Sequence, residues 1–465
     1  MSHPRPGYRA HAPLLTEAGD VLLRRMEQHP AAPRWNYTCG DRLVAADLPV
    51  LDAMRADLAA EPASGPGEIP ETVVARLLRE RARVPHLAAH LPETASEIVR
   101  TWADLPTLSR EDLVRRTPAF VPDAADLDRM VIYSTSGTTG HPILIPNHPV
   151  GASAYQLLLE RAFALWDVPW RPEPNRMANA LVCAQAETIQ HASVLTVWGG
   201  AGHVKVNLDP AGWREAAHAP AYLEAFDPPL LTGDPLSFAT LLDLDADLHP
   251  EALVSTAVSL SDGLRRRLGE RFGCPVFEWY SMNEVGPIAV LCPAGQGHHV
   301  LDPTVYVEVV DADGRPCPPG VRGEVTVTGG RNPMLRLLRY RTGDTASMAY
   351  GPCPCGSSAP RLVDLEGRRP VEFRSASGGL VNPVDVSRVL RAYPLAQHRL
   401  VQRADRACTL DLRVAGPVRP EAVSTDLRAL FGGVPLEVRL VDGPEADEKW
   451  IPFVSEIDQI DHARD

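Results

Sequence analysis

The sequence predicts an α/β protein, a large multilayered body that ends in a β subdomain and is followed by a small α+β unit. Three observations carry this expectation. The chain has 465 residues, too many for one ordinary domain. Short β-rich runs alternate with helical patterns from about residue 128 to about 290, as layered α/β sheets require. After Gly367 the pattern resets into a fresh helix, strand and helix series of small-domain length. The expected division is residues 1–366, a connector at 367–370 and a unit at 371–465.

The first hundred or so residues read as helices broken by Pro and Gly. Val73 to Arg81 offers an apolar face at Val74, Leu77 and Leu78, and Ala63-Ser-Gly-Pro-Gly67 marks a loop. Met130 to Tyr133 is a short strand that breaks into a Gly/Ser/Thr loop. Val305, Val307 and Val309 alternate, Asp313-Gly314 makes a turn, and Gly323 to Thr328 supplies a second strand, which together give the β subdomain. In the terminal unit a helix is expected near Val386, Val389 and Leu390. Strands follow at Leu400–Arg403 and Cys408–Val414, then a helix over Glu421–Leu430 and a strand over Leu436–Val441.

Composition excludes some partners. Hydrophobic residues make up 45% and charged ones 23%, as in a water-soluble globular chain. A net charge of −13 and 6% aromatic residues argue against nucleic acid, which needs cationic surface and stacking platforms. No run of eighteen apolar residues and no signal-like apolar region occurs, so no membrane partner and a cytoplasmic location are expected. Eight cysteines are sparse for this length, and disulfides are not expected in a reducing compartment.

Three segments carry chemistry. Tyr133-Ser-Thr-Ser-Gly-Thr-Thr-Gly-His-Pro142 follows a strand with hydroxyls and exposed backbone N–H groups able to wrap phosphate oxygens, without the Walker ending. Phe277-Glu-Trp-Tyr-Ser-Met-Asn-Glu-Val-Gly286 brings an aromatic, an amide and a carboxylate together, a set suited to a base, a phosphate and Mg²⁺. In Arg339-Tyr-Arg-Thr-Gly-Asp344 the Asp follows a tight turn and can accept two ribose hydroxyls.

In this order, these segments resemble the adenylate-forming superfamily of acyl-CoA synthetases, peptide-synthetase adenylation domains and luciferases. Within it the chain is most similar to the phenylacetate-CoA ligase-like branch, through Trp102-Ala-Asp-Leu-Pro-Thr-Leu-Ser-Arg-Glu-Asp-Leu113, Cys292, Gly297-His-His-Val300 and Tyr306-Val-Glu-Val-Val310. The resemblance implies a large adenylate-forming N-terminal domain and a small mobile C-terminal one. It implies that Ser134, Thr135, Ser136, Gly137, Thr138, Thr139 and Gly140 hold the β,γ-phosphates of ATP and that Tyr280 lies against adenine. Asn283 would stand near the α-phosphate, Glu284 would bind Mg²⁺, Asp344 would take the ribose hydroxyls, and Arg368 would support ribose or phosphate. The implied reaction joins a carboxylic acid, aryl or related, to AMP with release of pyrophosphate. The acyl group then passes to a thiol, foremost CoA. An amine, a carrier protein or another small nucleophile is the alternative acceptor, and an inactive nucleotide-binding scaffold is the alternative of another class.

Several positions depart from the family pattern. Pro370 stands in Gly367-Arg-Arg-Pro-Val371 where the hinge usually has Asp, which fixes φ there and bears on domain rotation. Lys449, in Asp447-Glu-Lys-Trp450, is the candidate for the C-terminal catalytic lysine. The acid pocket is expected to include His191, Trp198 and Ser259. No Asp or Glu lies between Thr188 and Lys205 to anchor an α-ammonium group, which disfavours a standard amino acid. Cys353-Pro-Cys355, with Cys292 and either His298 or His299, is a candidate tetrahedral zinc set. The branch resemblance points to His299 and to a structural ion. Whether the chain pairs as a homodimer is left open.

Overall fold

The computed structural model describes residues 8–59, 65–134, 143–366, 371–390, 392–393, 395–414, 417–441 and 451–457. A two-stranded hairpin, β1 (Val131–Ser134) and β2 (Leu144–Asn147), precedes a twelve-stranded sheet. That sheet contains β3 (Met177–Cys183), β4 (His191–Leu195), β5 (Ala201–Asn207), β6 (Leu230–Gly233), β7 (Ala252–Ser255) and β8 (Val276–Met282). It continues through β9 (Gly286–Leu291), β10 (His298–Val300), β11 (Val305–Val310), β12 (Gly323–Gly329), β13 (Leu337–Ala349) and β14 (Arg361–Glu366). Its spatial order is β11-β12-β13-β14-β10-β9-β8-β7-β6-β3-β5-β4.

The direction of pairing changes at β8, which runs parallel to β7 and antiparallel to β9. On the parallel side the strands are short apolar runs, as sheets covered on both faces require. One face packs on the helix Pro149–Leu165 through Ala162, Phe163, Val254 and Phe277. The other packs on Glu17–Glu27 and His218–Phe226 through Leu22, Met26, Val204, Val206 and Tyr222. Local chemistry sets the helix starts: Asp234 accepts from Ser237 N at 2.8 Å ahead of Pro235–Leu242, and Ser261 caps Asp262–Phe272, which ends at Gly273 in the left-handed region.

The hairpin read from Val305, Val307, Val309 and Gly323–Thr328 forms, with Val305 opposite Gly329. Alternation would leave one face of β11 in water, yet all six residues are buried. Val305, Val307 and Val309 face the β-subdomain core, while Tyr306 packs under Trp102 and Glu308 is paired with Arg339. The segment at Trp102–Leu113 therefore covers this face.

From residue 371 the chain forms its own core around Phe373, Val386, Leu410, Leu427, Phe431 and Phe453. A hairpin of β15 (Phe373–Arg374) and β16 (Leu380–Val381) leads to the helix Pro383–Leu390. A four-stranded sheet follows in the order β19-β18-β17-β20, with β17 at Leu395–Gln402, β18 at Cys408–Val414, β19 at Leu436–Leu440 and β20 at Phe453–Ser455. Both expected helices, the second at Pro420–Phe431, and the three expected strands are present, with β17 beginning five residues earlier than Leu400. Strand β20 was not expected; three residues carry too little periodicity to be read, and its pairing with β17 supplies the order. This unit rests on the loop after β3: Asn382 donates to Ala184 O at 2.8 Å, Asp385 accepts from Ala186 N at 2.8 Å, and Arg388 donates to Glu187 O at 2.6 Å.

Candidate active site

The second and third chemical segments meet on the antiparallel side. Tyr280, two residues before the end of β8, donates its hydroxyl to Asp344 on β13 at 2.7 Å. Burial, then the charge of Asp344, raises the Tyr280 phenol well above its ordinary value, so it stays a donor. Tyr340, four residues before Asp344, donates to Glu284 at 3.1 Å. Glu284 is only 4% exposed and also faces the Arg110 guanidinium at 3.5 Å. A buried carboxylate held by one hydroxyl and one cation is a fixed anionic point, suited to a hard cation. Asn283 is exposed in the turn between β8 and β9, beside a small cavity that also touches Tyr155, Arg331 and Asn332.

Arg110 was not singled out from the sequence, and the structure shows why its segment matters. Ser109 and Asp112 form a capping box that starts the helix Arg110–Arg116. Just before it, Leu108 N donates to Arg339 O at 3.0 Å. Arg339, fully buried with φ of 48°, donates to Glu308 at 2.9 and 3.2 Å, to Leu105 O at 2.6 Å and to Gly314 O at 2.7 Å. Trp102 Nε1 donates to the same Glu308 at 3.2 Å. The lead-in segment is thus strapped across the back of β13 and delivers Arg110 to Glu284.

The cysteine and histidine candidates converge. Ligand atoms of Cys292, His299, Cys353 and Cys355 all lie within 4.8 Å of one another. Cys292 and Cys353 sulfurs are 3.5 Å apart, and Cys355 Sγ is 3.2 Å from His299 Nε2. A tetrahedral zinc with ligands at about 2.0–2.3 Å has edges of about 3.5–3.8 Å, so the donor set fits that ion in type and spacing. His299 Nδ1 lies 3.1 Å from Ala359 O, which fixes the ring with Nε2 toward the thiols. Burial alone would raise the Cys353 thiol, but the Cys355 N–H and neighbouring donors hold it below its ordinary value. Alternation along β10 separates the two histidines: His298 points the other way, with Nε2 2.9 Å from Glu278.

Residues proposed for the acid pocket are spread out. His191 starts β4 and is buried, with its ring 5.7 Å from that of His203 and 6.2 Å from that of Tyr37. Trp198 is a core residue, packed 5.0 Å from Trp170 and donating Nε1 to Glu160 at 3.0 Å. Ser259 lies in the loop after β7, beside Leu260, whose N–H donates to Glu278 at 2.7 Å. Four inter-strand steps of about 4.8 Å separate β7 from β4, so Ser259 and His191 do not form one contact. The side chain of Ser134, and all of Thr135, Ser136, Gly137, Thr138, Thr139, Gly140, Arg368, Pro370 and Lys449, lie outside the described residues. Among the described residues no helix is long and apolar enough to cross a membrane.

The family model of AMP-binding enzymes matches residues 70–335, more than half of the chain. A phenylacetate-coenzyme A ligase of Thermus thermophilus is 26% identical over 293 residues, covering 60% of this chain and 63% of that protein. A medium/long-chain-fatty-acid–CoA ligase of Mycobacterium tuberculosis is 26% identical over 334 residues, covering 67% of this chain and 60% of that protein. The match thus spans less than two thirds of the length of either relative. Among solved structures, a 2-hydroxyisobutyryl-CoA ligase in complex with 2-HIB-AMP and CoA in the thioesterification state is similar, with a TM-score of 0.57 at 19% identity. That match covers 85% of this chain and 91% of that one. The open conformation of the same ligase gives 0.51 at 19% identity over 83% and 91%. These likenesses show a shared fold.

Proposed function

The chain belongs to the AMP-binding enzyme family, and on that premise we propose that it activates a carboxylic acid with ATP and transfers the acyl group to CoA. In the first step a carboxylate oxygen attacks the α-phosphorus, the bond to the β-phosphate oxygen breaks, and pyrophosphate leaves with its electron pair. In the second the CoA sulfur, its proton released to solvent, attacks the acyl carbon and AMP departs. The observation that carries this reading is the set Tyr280–Asp344 and Tyr340–Glu284–Arg110, in which three distant segments of the chain present two phenol rings, two carboxylates and a cation together.

In this reading Asp344 accepts the ribose hydroxyls while Tyr280 stacks on the base, and Asn283 reaches the α-phosphate. The loop from Ser134 to Gly140 wraps the β- and γ-phosphates, Arg368 supports ribose or phosphate, and Lys449 offsets charge gathering between carboxylate and α-phosphate. Mg²⁺ on Glu284 would neutralise phosphate charge. Zinc on Cys292, His299, Cys353 and Cys355 has a full protein ligand set, which suits a structural role. Residues 371 onward form the unit that reorients about 367–370 between the steps. Pro370 in that connector favours a second reading of the second step only, with an amine or carrier-protein thiol as acceptor. The test is product analysis with ATP, Mg²⁺ and a panel of acids, with and without CoA. AMP, pyrophosphate and an acyl-CoA are expected; ADP and phosphate would overturn the assignment.

A further inference from the structure

Of the 46 Lys and Arg residues in this chain, only two are lysines, Lys205 and Lys449. Solvated cations here are otherwise arginines, so a lysine inside the body of the protein calls for a reason. Lys205 lies half-buried in β5, between β3 and β4, opposite Leu181 and His191. No carboxylate among the described residues stands within ion-pair distance of it. An ammonium partly withdrawn from water with no anion beside it is uncompensated.

Leu181 aside, its neighbours on the same sheet face are polar and neutral. The alternate residues Val204 and Val206 pack into the core on the opposite face. On the Lys205 side, His203 Nδ1 lies 3.2 Å from Asn179 Nδ2, and Thr232 donates to Asn179 Oδ1 at 3.2 Å. His191 is 7% exposed, and its Nδ1 has no hydrogen-bond partner. Burial, then the charge of Lys205, lowers His191 to about 4; burial foremost lowers His203 to about 3, so both imidazoles are neutral at pH 7.

The place is a ligand position by topology. Lys205 lies toward the carboxyl end of the parallel strands, where open α/β sheets bind ligands. Cys39 lies within electrostatic reach of Lys205 and of Tyr133, the residue before the phosphate loop. From β8, which bears Tyr280, to β5 is four inter-strand steps of about 4.8 Å. A group bound at Lys205 therefore belongs to the far end of a molecule whose near end is at the nucleotide.

We propose that Lys205 and His191 form a subsite for a second carboxylate at the far end of the acid, with Asn179 and Thr232 orienting His203 beside it. The inference rests on the adenylation reading and deepens it: the substrate class is an extended dicarboxylic acid. An ammonium at this position is repelled by Lys205, and a purely apolar tail leaves both Lys205 and His191 Nδ1 without a partner.

The test uses the full-length protein in ATP–pyrophosphate exchange. Straight-chain dicarboxylates from adipate to dodecanedioate are set against the monoacids of equal length, and terephthalate against benzoate and 4-hydroxybenzoate. The diacids are expected to exceed the matched monoacids by at least about tenfold in kcat/KM at the best length. Lys205→Met should raise KM for the best diacid at least about tenfold while kcat stays within about threefold, and should leave the monoacids unharmed. Lys205→Glu should shift preference toward acids bearing a terminal amine, a gain that misfolding does not produce. Exchange with monoacids alone, or a diacid preference that Lys205→Met leaves unchanged, overturns the subsite and leaves adenylation standing. Exchange with no acid overturns both.

Discussion

The two halves of the twelve-stranded sheet are held together differently. From β8 outward to β11 the strands are antiparallel and cross-linked by directional polar contacts: Tyr280 to Asp344, Tyr340 and Arg110 to Glu284, Arg339 and Trp102 to Glu308, and the Cys–His set. From β8 inward to β5 the strands are parallel and rest on apolar helix packing, with polar groups gathered around Lys205 and two histidines. Directional contacts fix positions to fractions of an ångström, which a common nucleotide demands. Apolar packing tolerates changes of shape, so on the proposed reading one face of the inner half could be refitted to a different acid without disturbing the outer half.

Substitutions test this contrast, and the largest effect is expected at Glu284. Glu284→Gln keeps the shape but removes the anionic point, and should lower the exchange rate by about a hundred- to a thousandfold while the relative ranking of acids is kept. A loss under fivefold, or a changed ranking, breaks the division of labour. Lys449→Ala, in the terminal unit, should slow adenylate formation by about a hundredfold and leave turnover of a supplied acyl-adenylate near normal. Equal slowing of both steps in single-turnover assays would argue instead for a folding defect.

A smaller effect, on stability, is expected at the Cys–His set. Cys353→Ser with Cys355→Ser should abolish zinc retention and lower Tm by roughly 5–10 °C with the acid ranking unchanged. Metal analysis together with calorimetry decides it, and a metal-free wild type of equal Tm would remove the clamp. Smallest of all, Trp198→Phe deletes the donor to Glu160 and should cost about 1 kcal/mol of stability with less than a twofold change in acid preference. A marked change in preference would return Trp198 to the pocket.

What was legible in the sequence follows the same boundary. Tyr280 and Glu284 sit in one short segment and Asp344 in another, so residue type and order marked them as candidates. Choosing between His298 and His299 required only strand alternation in β10, which turns one ring to the thiols and the other to Glu278. Arg110 was invisible because its partner lies on β9's approach turn, far along the chain, and nothing in Ser109-Arg-Glu-Asp112 marks a cation that reaches a buried carboxylate. Lys205 and His203 were passed over for the same reason, since their neighbours come from β3, β4 and β6. Trp198 was ambiguous because an indole among small residues suits a pocket or a core equally, and its partner Glu160 comes from the distant helix Pro149–Leu165.

The contact between the terminal unit and the loop after β3 has a thermodynamic corollary. All three side chains, Asn382, Asp385 and Arg388, grip main-chain atoms of Ala184, Ala186 and Glu187, in the loop that begins one residue past Cys183, where the strand bearing Asn179 ends. On the proposed function, an acid bound beside that strand end would change the docking free energy of the terminal unit. By reciprocity, docked and undocked positions of a reorienting unit would then hold the acid with affinities that differ by the same factor. Order of release and order of binding are then two readings of a single coupling constant, measurable by titrating acid into Asp385→Ala and wild-type protein side by side.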